Sequence, residues 1–132
     1  MNEILLTPNI DHWFGKDDYG RDIYFRLVDG FINSFEIILS VTIVTSFFGI
    51  FIGVLSGFIG GKFDQVIKFI TTLFMSFPGI LLAIAFAAIL TPGKLNLIIA
   101  LSIVGWVGYA RLARAQTLLI KEQDFVKASR SM

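Results

Sequence analysis

Long apolar runs separated by short polar stretches dominate this chain. Residues 37–59 are 23 positions without a charge, residues 69–93 are 25, and residues 95–110 are 16. A bilayer core about 30 Å thick is crossed by a helix of about 20 apolar residues, within a range of about 17–25. The first two runs meet that length outright. The third is short, and Arg111 and Arg114 just beyond it would extend it by snorkelling toward headgroups. Fifteen Leu, Ile, Val or Phe side chains fill the first run. Each favours insertion by about 0.3–0.6 kcal/mol, with no charge opposing them. The pattern predicts an all-α membrane protein with spans at about 35–59, 69–92 and 95–113.

Composition agrees with lipid as the solvent. Apolar residues make up 55% of the 132 positions, charged residues 16%, and mean hydropathy is +0.77, whereas soluble domains carry about 25% charge. A net charge of +1 gives no basic field for nucleic acid. With no cysteine and only one histidine, His12, thiolate sites are excluded and histidine clusters nearly so. The three uncharged runs, 37–59, 69–93 and 95–110, hold no His, Asp, Glu or Lys. They therefore lack the base or paired acids that intramembrane hydrolysis requires, and no catalytic residue is expected.

Basic residues set the orientation. Lys62, Lys68, Arg111, Arg114, Lys121, Lys127 and Arg130 fall on one side of the spans, and Lys16, Arg21, Arg26 and Lys94 on the other. The positive-inside rule places the seven in the cytoplasm. Residues 1–32 then form an extracytoplasmic leader. Its longest apolar run is only "ILL", so an upstream span is expected to carry it across.

Four stretches stand out as candidates for function. Gly49, Gly53 and Gly57 recur every four residues, a spacing that lets two helix backbones touch in lipid. The partner is either another span or another chain. Pro78 and Gly79 interrupt the second run, where the missing N–H should kink or unwind the helix, either to line a pathway or as a purely structural kink. In "HWFGKDDYGRD" at 12–22, Gly15 and Gly20 permit unusual backbone angles, and Asp17 or Asp18 can cap a following helix. That helix places Ile23, Leu27 and Phe31 on one face, as an interfacial amphipathic segment entering the first span. A metal site from His12 and the aspartates is a lesser alternative.

The fourth stretch is the end, "KEQDFVKASRSM". Asp124 suits an N-cap, and Phe125, Ala128, Ser129 and Met132 then share a face within about 60°, with Val126 beside it. Lys127, Arg130 and Ser131 point away. The small residues on that face suit docking in a protein groove from about residue 122 onward. A solvated extension of the third helix is the simpler alternative.

Together these stretches resemble the permeases of dipeptide, oligopeptide and nickel ABC importers. His12, Gly15, Asp17, Gly20, Arg21 and Asp22 match a signature H-x-x-G-T-D-x-x-G-R-D, with Lys16 in place of the threonine. "SFPGILLAI" and "GWVGYARLAR" follow in the family's order, and "DFVKASRSM" is similar to the start of the loop through which such permeases contact their ATPases. There Lys127-Ala128-Ser129 replaces Glu-Ala-Ala, and the expected glycine falls beyond Met132. The resemblance implies three of the six spans of a type I importer permease, with residues 33–132 a partial transmembrane domain cut inside its coupling helix. It also implies a second permease subunit, two cytoplasmic ATPases that bind ATP and magnesium, and an extracytoplasmic solute-binding protein. This chain itself would hold no cofactor. It would sit as a multi-pass protein in a bacterial or archaeal inner membrane and move peptides or a related solute such as nickel. A channel or structural membrane protein without an ATPase is the alternative reading.

Overall fold

The computed structural model describes residues 4–123. Apart from one isolated bridge between Lys16 and Asp22, every regular element among them is a helix. These are α1 (Ile23–Ile59), α2 (Gly61–Met75), α3 (Gly79–Ile89) and α4 (Lys94–Lys121). Two of them, α1 and α4, are long and apolar enough to cross a membrane alone, and α2 with α3 qualifies as one bent span. The chain divides into two units, residues 1–38 and 39–132.

In the first unit, a polar loop feeds directly into α1. The amphipathic stretch with Ile23, Leu27 and Phe31 forms the first turns of α1, which continues from it into the first span over 37 residues without a break. No Pro or Gly pair interrupts the run before Gly60, and Gly30 alone costs a helix too little to break it.

In the second unit, sequence chemistry sets the helix boundaries. Gly60 and Gly61 take φ of 69° and 61°, a left-handed pair that few other residues tolerate, and they turn the chain from α1 into α2. Pro78 lacks the N–H that would continue α2 and disfavours helical geometry at Phe77. It stands instead as the residue before α3, where its carbonyl accepts from Leu81 and Leu82 at 2.9 and 3.2 Å. The second apolar run is therefore broken into two helices at 88°, at the proline where a kink or unwinding was expected. At the α3–α4 turn, the Asn96 side-chain amide donates to Thr91 O and Oγ1 at 2.7 and 2.8 Å.

The interior is made of small residues. Thr45, Gly49, Gly53, Ser56 and Gly57 are the buried positions of α1, and Ala100, Val107 and Ala110 those of α4. Large side chains point outward, with Phe47 67% and Ile89 81% exposed. Lipid removes the drive to bury a phenylalanine, so close backbone packing selects what goes inside.

Helix α4 packs against all three other helices. A Cβ on Gly49 would meet Tyr109, one on Gly53 Ala113, and one on Gly57 Thr117, while one on Gly105 would meet Thr45. Each neighbour lies sixty positions away along the chain, so α1 and α4 run parallel and in constant register. The glycine face of α1 is thus filled by α4 of the same chain. On its other sides α4 receives Phe74 of α2, edge-on to Trp106 at 6.1 Å between ring centres, and Gly79 of α3 beside Val104.

Candidate functional site

The leader folds as a knot of hydrogen bonds around its polar motif. Asp17 accepts the backbone N–H groups of Tyr19 and Arg21 through Oδ1, both at 2.9 Å. Its Oδ2 accepts Arg21 Nε at 3.1 Å and also the Arg26 guanidinium. Asp17 therefore holds the turn, and Asp22 caps the helix. Asp22 Oδ1 accepts the Tyr24 N–H at 2.8 Å while Oδ2 accepts His12 Nδ1–H at 2.7 Å. This corrects the expectation that Asp17 or Asp18 caps α1. An N-cap lies immediately before the first helical residue, and that position is Asp22.

Gly15 and Gly20 take φ of 73° and 72°. At Gly15 the space is closed as well, because a Cβ would lie 2.1 Å from Leu6 O. Tyr24 packs against Trp13 and Phe14, with ring centres 5.3 and 6.0 Å away. Arg21 lies over the ring of Tyr19 at 4.9 Å. The six motif residues thus build one another's geometry. Among the described residues no group of three His, Cys, Asp or Glu side chains could hold a metal.

Electrostatics follow from these bonds. The Arg21 N–H, more than any other group, holds the Asp17 carboxyl down at about 2 from its usual 3.8. Partial burial opposes this, while the Tyr19 N–H, the charge of Arg21 and the hydrogen bond from Arg26 add to it. Asp22 is lowered too, chiefly by its hydrogen bond from His12. A carboxyl whose folded value is depressed stabilises the fold above its ordinary value and loses that contribution as pH falls toward the folded one. The knot should therefore hold at neutral pH and loosen as pH drops from about 4 to about 2. With Trp106→Phe in place, Trp13 is the only indole left, and its emission should shift across that window. Asp17→Asn should remove most of the acid-dependent shift, and an unchanged acid limb in that variant would show the carboxylate is not its source.

At the far end of α1 lies a second polar cluster. Arg114 of α4 donates from Nη2 to Asp64 Oδ2 at 2.6 Å and from Nε to Oδ1 at 2.5 Å. Ser56 of α1 donates to the same Oδ1 at 2.6 Å. The lone carboxylate thus binds three helices together. Arg114 is paired inside the bundle, where snorkelling to headgroups was expected. Ser56 and Asp64 carried no signal in the apolar pattern, yet Asp64 is the only acid between Glu36 and Glu122. A solitary acid flanking a span calls for a basic partner. One turn along, Arg111 contacts Met75 Sδ and borders an open cavity of about 610 Å³. Phe74, Phe77, Gly79, Val104 and Val107 also line that cavity. Pro78 stands at the adjoining 88° elbow. Asp124, Phe125, Val126, Ala128, Ser129 and Met132 lie outside the described residues.

Known proteins are similar in sequence to nearly the whole chain. It is 37% identical to the oligopeptide transport system permease protein OppC of Bacillus subtilis (strain 168), over 95% of this chain and 41% of that protein. It is 35% identical to the nickel transport system permease protein NikC of Escherichia coli (strain K12), over 96% and 46%. The glutathione transport system permease protein GsiD of Escherichia coli O6:K15:H31 is 39% identical over 95% and 41%. The chain spans less than half the length of these relatives. The family model described as binding-protein-dependent transport system inner membrane component matches residues 49–132, which include the glycine face, the elbow and the Asp64–Arg114 pair, and the chain belongs to that family.

Proposed function

We propose that this chain is part of a permease subunit of an ATP-driven importer that carries peptides or a related small solute across the inner membrane. The observation that carries the reading is the conjunction of family membership with relatives named for oligopeptide, nickel and glutathione transport. Its place is in the membrane part of the transporter. ATP hydrolysis, with its magnesium, belongs to two cytoplasmic ATPase partners, and a second permease subunit completes the pathway. A solute-binding protein delivers cargo to the side where the leader lies. The Pro78–Gly79 elbow and its cavity face the pathway in this reading, and the ends of α1 and α4 face the cytoplasm.

Residues 124–132 are the contact with the ATPase. Burying one phenylalanine is worth about 1.5–3 kcal/mol, or a tenfold to hundredfold change in affinity. In the complete importer, Phe125→Ala should lower ATPase recovery with the permease and the transport rate by about that factor. Lys127→Ala, on the opposite face, should change both by less than about twofold. Recovery of no ATPase with the native subunit would sink the importer reading in favour of a channel or structural protein.

A further inference from the structure

The end of α4 is fastened to the α1–α2 corner at three successive points. Arg114 grips Asp64 with both ends of its guanidinium fork. Three residues on, Thr117 fills the space over Gly57, whose added Cβ would lie 2.8 Å from Thr117 Cβ. Four residues further, Lys121 Nζ donates to Phe58 O at 2.8 Å and to Gly57 O at 3.4 Å. Arg114 and Lys121 are two helical turns apart, within about 20° of the same face. A single face of α4 thus carries every one of these contacts, and α4 ends at Lys121.

Their chemistry makes the joint stiff. A bidentate guanidinium–carboxylate pair fixes angle as well as distance, which a lysine could not do. Ser56 removes a further degree of freedom by holding Asp64 Oδ1 from α1. The carbonyls that Lys121 meets are among the last of α1, where backbone acceptors lack helical partners and the helix dipole is negative. Burying an ion pair adds little net stability, because desolvation offsets the attraction. What the pair adds is a defined geometry.

We propose that Asp64, Arg114, Ser56 and Lys121 are positioning residues that turn the α1–α2 corner and the last turns of α4 into one lever. The lever passes a push delivered at the end of α4 into the spans. This rests on the importer reading, in which the ATPase is met on that side. Without the joint, the push would bend the end of α4 and be lost.

The test is solute moved per ATP hydrolysed by the complete importer in liposomes, with its binding protein present. Asp64→Asn preserves shape and the Ser56 contact but removes the charge. It should lower the ratio about fivefold or more while assembled complex is recovered as in the native protein. Arg114→Lys keeps the charge without the fork and should give a smaller loss. An unchanged ratio in Asp64→Asn would overturn the lever. If Asp64→Asn does not accumulate, Arg114→Lys decides: a lowered ratio supports the lever. A native ratio on less complex, or no complex at all, reduces the pair to a folding staple and overturns it. The native importer run alongside separates the readings, since absence of ATP-driven uptake there would remove the importer reading itself.

Discussion

Replacing Gly53 with leucine should all but eliminate folded chain from the membrane, whereas Gly108→Ala should leave its amount unchanged or raise it. A Cβ on Gly53 would lie 2.3 Å from Ala110 O and 2.9 Å from both Ala110 C and Ala113 Cβ. Two of those three atoms are backbone, which cannot rotate aside, so α1 and α4 must separate. Their separation would open the contacts at Gly49 and Gly57 as well, because all three glycines face one helix. Overpacking a close-packed interior costs about 1–3 kcal/mol, and a backbone obstruction along a whole seam belongs at or above the top of that range. Gly108 lies on the same α4, but an added Cβ meets nothing within 4 Å, so alanine there gains about 0.5–1 kcal/mol of helix preference. Fluorescence-detected gel filtration of membrane extracts, before and after heating, measures both variants. Equal profiles for Gly53→Leu and the native chain would mean that α4 does not occupy this face. Because the neighbour is intramolecular, the loss should appear even without a second permease subunit.

The second large effect is expected in the leader. Gly15→Ala should unfasten the loop that precedes α1. Alanine would have to hold φ near 73°, and its Cβ would lie 2.1 Å from Leu6 O and 3.3 Å from Pro8 N. The left-handed conformation alone costs a non-glycine residue about 1–3 kcal/mol. The collision also removes the Lys16 N–H bond to Leu6 O at 3.0 Å and the Ile23 N–H bond to Gly15 O at 3.1 Å. Those bonds tie the strand around residues 5–6 to the start of α1. With Trp106→Phe in place, the intensity of Trp13 emission should change as the indole, already 66% exposed, leaves its contact with the Tyr24 ring. Gly30→Ala, where an added Cβ meets nothing within 4 Å, should leave it unaltered. Native emission from Gly15→Ala would show that the loop closes without this glycine.

Several features can be read directly from residue types and spacing. The apolar runs mark α1, α4 and the bent pair between them, because lipid makes length and hydropathy decisive. Pro78 marks where the second run breaks, but the 88° angle depends on how α2 and α3 each pack on α4. The four-residue spacing of Gly49, Gly53 and Gly57 marks a face without naming its occupant. That occupant is fixed by the matching small residues of α4, Gly105, Ala110 and Ala113, whose spacing is masked by Trp106 and Tyr109 between them. The Asp64–Arg114 bond joins residues fifty positions apart, so no local pattern contains it. In the leader, the amphipathic spacing of Ile23, Leu27 and Phe31 marks a helical segment entering the first span, and α1 carries both without a break, since a helix ends only where a residue or a missing bond ends it.

The constant interval of sixty between the paired faces of α1 and α4 also has a meaning in time. The ribosome adds about 5–20 residues per second, so the glycine face of α1 is made about 3–12 s before the helix that fills it. During that wait α1 is complete and its narrowest face is open to lipid or to any other small-residue helix nearby. The bent pair α2–α3 is made in the interval, and both of its arms end up against α4 rather than in the groove. The seam therefore lacks its own partner until α4 emerges, and a newly made chain is most open to pairing with the wrong helix in those seconds.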